Sequence, residues 1–372
     1  MSTYCPYPFK HVFAEPKGIK PCCSYTNIFP GTIQDWLGSD ELKQLQDDVL
    51  NDRYNDGCIA CLQGSATDNF SSRETAFKEY GKIRYNKTEI DFVDFRSSNV
   101  CNFKCRSCEP SYSSKIAAEV RRNPKLEKYY TIDNLLPQEH NEQWILNNLN
   151  NLKRIMFTGG EPTQIPAVKA ILLEIERRGL FNIDIQIISN ASFTDQFWID
   201  VTSRLPNINW ALSIDACGAE AEIIRHGTKW ETVAKNVEIL FKTAKSVNIG
   251  TVVTVLNVLH LAELFWFANH MKRFSSGRGG DQTISICNFP KYFSPYNWPD
   301  GSKPYVIERL EQAYTDANQD SQRQTLDTLI KNIKETPYDF MSWGRFLSHN
   351  EALDNIRNED FIKQLITVPI SV

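Results

Sequence analysis

From residue 88 onward, short runs rich in Ile, Val and Phe alternate with longer segments whose apolar positions recur every three to four residues. Six runs read as strands: Glu89–Arg96, Arg154–Thr158, Ile183–Ser189, Ile208–Ile214, Ile249–Leu256 and Thr283–Phe289. Helical stretches near Ser113–Arg122, Glu142–Asn150, Pro166–Arg178, Asp195–Arg204, Trp230–Ser246 and Leu261–Phe274 lie between them. Such alternation predicts an α/β fold with a parallel sheet and helices packed outside it. Six units over roughly 200 residues fit a partial (β/α)6 barrel. A doubly wound sheet is the alternative, and periodicity does not separate the two. In either architecture chemistry collects at the C-terminal ends of the strands.

The pattern differs on both sides of this region. His11–Ala14 and Gly18–Cys23 predict two short strands around a glycine-bearing turn. Ile33–Arg53 carries Trp36, Leu37, Leu42, Leu45, Val49 and Leu50 on a helical period, with Ser39 as N-cap of its main part. A Cys58-Ile59-Ala60-Cys61 turn and a second helical stretch, Arg73–Lys82, follow. So few apolar strands imply a unit that needs a staple. Ser275–Asp281 reads as a glycine-rich surface loop and Pro290–Tyr305 as an irregular aromatic strap. Residues 305–334 and 344–367 read as helices. The expected divisions are residues 1–86, a small Cys-rich domain; 87–290, the strand–helix core; and 291–372, the strap and helical extension.

Composition narrows the function. The 372 residues are 41% hydrophobic and 12% aromatic, enough for a sizeable core. A formal charge of -4 gives no electrostatic case for nucleic acid or an anionic membrane. No apolar run approaches the roughly 20 residues of a membrane helix. Met1-Ser2-Thr3-Tyr4-Cys5-Pro6 has no basic region followed by an apolar run, so no signal peptide is expected and the cytoplasm is the expected location. Ten cysteines in such a chain do not suggest a disulfide framework. Eight of them fall in the first 108 residues, which points to metal. Cys217 and Cys287 stand alone and are expected to pack as small hydrophobes.

The chemistry centres on Ser98-Asn99-Val100-Cys101-Asn102-Phe103-Lys104-Cys105-Arg106-Ser107-Cys108, a loop after the first strand of the core. Thiolates are the usual ligands of iron–sulfur clusters, and three ligands to four irons leave one iron open. Zinc competes on spacing alone, although it would call for a fourth ligand. Phe157-Thr158-Gly159-Gly160-Glu161-Pro162 closes the next strand, where glycines permit close backbone approach. Ser189-Asn190 ends the third strand. Ser213 and Asp215 end the fourth and share one side of it. Arg225 lies in Ile224-Arg225-His226-Gly227, with His226 expected to be solvated, and Asn257 follows the fifth strand. In the N-terminal region Cys5, Cys22, Cys23, Cys58 and Cys61 offer four ligand positions if one of the adjacent pair is used. Neighbours in a strand face opposite ways, so one metal centre should not take both, and Cys22 is favoured. A structural zinc with four cysteines also fits this set.

The three-cysteine loop followed by Gly159-Gly160-Glu161-Pro162 resembles the radical S-adenosylmethionine (SAM) superfamily over about residues 88–290. The resemblance implies a [4Fe-4S] cluster on Cys101, Cys105 and Cys108, with SAM chelating the open iron. It implies reductive cleavage of SAM to methionine and a 5′-deoxyadenosyl radical that takes hydrogen from a substrate. Gly159, Gly160 and Glu161 would meet the SAM ammonium, Ser189 and Asn190 its polar groups, Ser213 its ribose or carboxylate, and Arg225 its carboxylate. One position departs: the family often has an aromatic residue before the third cysteine, and here it is Ser107. The N-terminal cysteines resemble the auxiliary-cluster region of twitch and SPASM members, which usually follows the barrel; that implies a second cluster, also [4Fe-4S]. Expected partners are SAM, a flavodoxin- or ferredoxin-type electron donor, and a peptide or small-molecule substrate. The favoured reaction is oxidative modification of a peptide or protein side chain; dehydrogenation of a small molecule is the alternative. A zinc-stapled binding protein is the non-enzymatic one. Phe289, Tyr292, Phe293, Tyr296 and Trp298 could wall a substrate pocket or simply pack in the core.

Overall fold

The computed structural model describes residues 3–64, 71–82, 87–275 and 280–366. The chain begins with α1 (Tyr7–Lys10), β1 (His11–Glu15), β2 (Gly18–Lys20), α2 (Ile33–Gly38), α3 (Asp40–Leu50), α4 (Ile59–Gly64) and α5 (Ser72–Tyr80). It continues through β3 (Phe92–Phe95), α6 (Ser114–Arg122), α7 (Glu139–Asn148), β4 (Arg154–Phe157), α8 (Pro166–Arg177), β5 (Asp184–Ser189) and α9 (Phe197–Arg204). Then come β6 (Ile208–Ser213), α10 (Gly218–Ile224), α11 (Trp230–Thr243), β7 (Ser246–Val253), α12 (Leu261–Lys272) and β8 (Gln282–Ile286). Four helices close it: α13 (Lys303–Ala313), α14 (Asp320–Glu335), α15 (Phe340–Arg357) and α16 (Phe361–Ile366). All six expected core strands form, as β3 to β8, with their ends moved by one to three residues. The chain is mixed α/β with parallel strands and a helical C-terminal region, in the strand–helix succession of a partial barrel. The expected loop at Ser275–Asp281 lies in part, at 276–279, outside the described residues, as does residue 367 of the expected last helix. Among the described residues no helix is long and apolar enough to cross a membrane.

The chain divides into two compact units, Met1–Val100 with Asp133–Ile187, and Cys101–Ile132 with Ile188–Val372. In the first, β1 pairs antiparallel with β2 and parallel with β3, and β3, β4 and β5 follow in parallel. Val12, Val93, Ile155 and Ile185 fall in one register and are buried. Val168, Ile171, Leu172 and Ile175 of α8 recur at helical spacing and are fully buried. Each such side chain contributes about 1.5–3 kcal/mol. The expected cap is present: Ser39 Oγ accepts from the Leu42 N–H at 3.1 Å and starts α3.

In the second unit β6, β7 and β8 run parallel. Trp198 and Trp210 pack edge to face, and the Trp210 indole N–H donates to Thr202 Oγ1 at 3.1 Å. Asn236 is buried on α11 and donates to the carbonyls of Ala191 at 2.8 Å and Phe193 at 2.7 Å. Those two bonds pin the loop after β5, where Ala191 holds a positive φ of 58°. The strap after β8 divides its aromatics: Phe293 and Trp298 are core, whereas Phe289 is 86% exposed.

Candidate functional site

The loop bearing Cys101, Cys105 and Cys108 is shaped by its own unit. Lys104 N–H donates to the His226 carbonyl at 2.8 Å and Arg106 N–H to the Ile224 carbonyl at 2.9 Å, so the loop pairs with the segment around Arg225. Ser113 Oγ donates to the Phe103 carbonyl at 2.7 Å and caps α6 through the Ile116 N–H. Phe103 is buried under Gly227, whose φ is 107° and where a Cβ would lie 3.1 Å from the Asn102 carbonyl. The Phe103 N–H points at Cys101 Sγ at 3.4 Å, and Cys108 N–H closes a turn onto the Cys105 carbonyl. Burial pushes the Cys108 thiol well above its usual range, and the charges of Cys105 and Cys101 push it further. Three thiolates that disfavour one another fit a shared cationic centre.

Arg106, between the second and third cysteines, is fully buried. Its guanidinium meets Asp354 and Glu359, donates to Asn350 Oδ1 at 3.2 Å, and reaches the Ile223 carbonyl at 3.3 Å. Lys104 pairs with Glu119, which also holds Arg357 of α15 at 2.7 Å. Both basic residues of the loop are therefore anchored by the C-terminal helices or by residues bound to them.

Arg225 stands beside this loop. Its Nη1 lies 2.7 Å from Asp215 Oδ2. Burial opposes its charge, but the Cys105 thiolate and the Asp215 carboxylate outweigh that and hold its pKa above the usual arginine range. Burial likewise raises Cys105, and Arg225 pulls it back. Asp215 is itself fixed by the Val252 N–H at 3.0 Å. Ser213 closes β6, half-buried. Asn190 and Ser192 form a network with Asn102: Asn190 Nδ2 donates to Asn102 Oδ1 at 2.9 Å, and Asn102 Nδ2 to Ser192 Oγ at 2.7 Å. Ser189 Oγ accepts the Ala191 N–H. Asn257 spends its amide on the Asp215 and Val252 carbonyls and on the Thr254 N–H, which makes it a loop staple. His226 is not simply solvated: its Nδ1 pairs with Glu359.

Gly159-Gly160-Glu161 belongs to the first unit and packs on the residues leading into the cysteine loop. Gly159 has φ 127°, and a Cβ on Gly160 would sit 2.1 Å from the Val100 carbonyl oxygen. Only glycine allows this approach. Gly160 N–H donates to the Ser98 carbonyl at 3.1 Å and Glu161 N–H to the Val100 carbonyl at 2.7 Å. Val100 is bonded directly to Cys101, so the Gly-Gly-Glu turn braces the stem of the cysteine loop. The Glu161 side chain is buried and caps the short helix that follows, accepting from the Thr163 N–H at 3.1 Å and its hydroxyl at 2.7 Å.

Residues 95–265 match the model of the Radical SAM superfamily. Over those residues the chain is similar to that superfamily's domain. Members of that superfamily are enzymes, and the family implies a [4Fe-4S] cluster and SAM. Among solved structures the chain is similar to native anSMEcpe with bound AdoMet and Cp18Cys peptide, at 18% identity over 60% of each chain and a TM-score of 0.39. It is similar to Streptococcus suis SuiB bound to S-adenosylmethionine, at 14% identity over 77% of this chain and 61% of that one, TM-score 0.41. It is also similar to TYW1 with a lysine-pyruvate adduct bound, at 12% identity over 76% of this chain and 90% of that one, TM-score 0.39. The chain spans about 60% of the length of the anSMEcpe and SuiB chains. No curated protein sequence matches it.

Outside the matched residues, the N-terminal cysteines converge. Cys5, Cys22, Cys58 and Cys61 line one cavity with Tyr25, Val49 and Arg73. Tyr7 and Phe92 pack on Cys22, and Phe9, Leu45 and Val49 on Cys5 and Cys58. Cys23 faces outward, exposed, with its Sγ 4.0 Å from Ser72 Oγ. Burial pushes the Cys5 thiol to about 12, with Cys58 and Cys61 adding to it. It pushes Cys58 to about 11, with Cys61 adding. Four thiols around one apolar cavity fit a closed cluster or a zinc by donor chemistry. Among the described residues no three His, Cys, Asp or Glu side chains are gathered closely enough to hold a single metal ion. Cys217 and Cys287 are half-buried rather than core.

Two features escape sequence reasoning. Nothing local marks Arg106 as a buried anchor, because its partners lie some 250 positions away. Asp94 sits in the middle of β3, buried, and accepts from Thr158 Oγ1 at 3.1 Å. Burial pushes its carboxyl to about 7 against the pull of Arg96. An acid inside the apolar run Phe92-Val93-Asp94-Phe95 is the signal that could have marked it.

Proposed function

We propose that the protein is a radical SAM enzyme that oxidatively modifies a peptide or protein side chain, using an auxiliary cluster in its N-terminal cavity. Cys101, Cys105 and Cys108 would hold a [4Fe-4S] cluster, which would supply the electron for reductive cleavage of bound SAM to methionine and a 5′-deoxyadenosyl radical. The observation that carries the reading is Arg225, a half-buried guanidinium held by Asp215 beside Cys101 and Cys105. A planar guanidinium suits a carboxylate, and Asp215 engages Arg225 through Nη1. Gly159, Gly160 and Glu161 are assigned to the SAM ammonium, as the family resemblance implies. Ser213 and the Ser189–Asn190 turn are assigned to its ribose and remaining polar groups. Exposed Ser107 offers no ring to adenine, which leaves that contact to backbone.

The N-terminal cavity is assigned to Cys5, Cys22, Cys58 and Cys61, with Cys23 excluded by its outward side chain. Four protein ligands leave no open iron, which suits accepting the electron left on a product radical rather than binding substrate. The test is anaerobic reconstitution. About eight irons per chain, brown colour and dithionite-dependent release of 5′-deoxyadenosine are expected. A colourless protein holding stoichiometric zinc overturns the reading. Mass analysis of products from peptide and small-molecule candidates decides the substrate class.

A further inference from the structure

A groove of about 1030 Å³ runs between the end of α6 and α15, lined by Arg122, Lys125, Lys128, Tyr129, Ala352 and Ile356 among others. Arg121, Arg122, Lys125, Lys128 and Arg345 are all exposed on or beside it. None of the five makes an ion pair among the described residues, whereas exposed Arg177, Lys242 and Lys272 do. Arg345 lies over the rings of Tyr129 and Tyr292 and donates to the Lys128 carbonyl, which keeps its charge at the rim. Arg121 and Arg122 also complement the dipole at the end of α6. That accounts for two cations and leaves three. The acids nearby are Glu127 and Glu351, so the groove is positive on a chain whose formal charge is -4.

The groove's apolar floor leads to a cluster ligand. Tyr129, Ala352 and Ile356 pack on Ile116, Val120, Leu126 and Leu353, and Cys108 packs on that same set. One buried apolar cluster therefore borders both the groove residues and Cys108. We propose that this groove docks the electron donor, a small acidic redox protein, so that its electron enters through the Cys108 side of the cluster. The proposal rests on the radical SAM reading. One electron leaves the donor, which is oxidised by one electron, and the cluster is reduced by one; no atom crosses the interface. Attraction between unlike charged surfaces raises the encounter rate and is screened by salt.

The test compares two reductants on the reconstituted full chain, with flavodoxin as the acidic protein donor and dithionite as a donor that needs no docking. In Arg122→Glu/Lys125→Glu/Lys128→Glu, dithionite-driven 5′-deoxyadenosine release should stay within about twofold of wild type. Flavodoxin-driven release should fall about tenfold or more. Flavodoxin binding by calorimetry should weaken in parallel, and for wild type it should weaken as salt rises. Lys125→Gln/Lys128→Gln, a milder change, should give the same split at smaller size if the triple variant does not fold. Equal rates with flavodoxin in variant and wild type overturn the docking proposal. So does a variant that raises KM for the substrate under dithionite, which would assign the groove to substrate. Absence of dithionite-driven release from wild type instead overturns the radical SAM reading itself.

Discussion

The two cysteine sites are built from opposite materials. Around Cys101 and Cys105 the scaffold is polar, with a buried Arg106 on two carboxylates, a backbone pairing with residues 224–226, and Arg225 on Asp215, while Cys108 alone also rests on an apolar set. Around Cys5, Cys22, Cys58 and Cys61 it is apolar and aromatic, from Tyr7, Phe9, Tyr25, Leu45 and Val49. A polar frame in which Arg225 pairs with Asp215 through one nitrogen suits a charged ligand. An apolar frame with four thiols can hold a closed centre and little else. On the proposed reading, ligand count and surroundings together, not spacing alone, set a site for SAM chemistry apart from one for holding an electron.

The sharpest way to break this comparison is at the polar site. Cys105→Ala should abolish dithionite-driven SAM cleavage and remove about half the iron, because two thiols do not retain a four-iron cluster. At the apolar site, Cys22→Ser should lose the N-terminal centre while Cys23→Ser keeps it, read by iron content and the visible spectrum. Equal behaviour of the two would refute the assignment of Cys22 by its direction. Arg106→Met leaves Asp354, Glu359 and Asn350 without their partner and should cost about 3–5 kcal/mol of stability. Thermal unfolding of the reconstituted protein measures it, and a change below about 1 kcal/mol would mean that the polar frame does not hold the loop.

The smallest effect concerns the apolar frame. Burial lowers His11 to about 4, and its Nδ1 donates to the Pro21 carbonyl at 2.8 Å. The unfolded chain binds this proton below about 6.5, while the folded chain resists it until about 4. His11 therefore subtracts stability as pH falls through that window and has no such effect above it. His11→Gln should flatten the difference between urea midpoints at pH 7 and pH 5 relative to wild type.

Much of this was legible from residues alone. The six core strands announce themselves by composition and by the helices between them, and Gly159-Gly160 announces a close backbone approach that the Val100 carbonyl supplies. Ser39 announces its cap. Other features depend on pairings that no local pattern encodes. The parallel pairing of β1 with β3 joins residues some 80 positions apart. Arg106 and His226 meet Glu359 across more than 130 positions, which ties His226, expected to be solvated, into the network of a buried arginine. The choice between Cys22 and Cys23 needed the direction of each side chain where β2 has already ended at Lys20.

The central claim is that the two sites are separable, one cleaving SAM and one closing the electron circuit. It is tested most directly in Cys58→Ala/Cys61→Ala after anaerobic reconstitution, by measuring iron and 5′-deoxyadenosine release in the same sample. The account predicts about half the wild-type iron, some dithionite-driven SAM cleavage retained, and no substrate turnover. Intact turnover in that variant, or loss of SAM cleavage with the protein still folded, would contradict it.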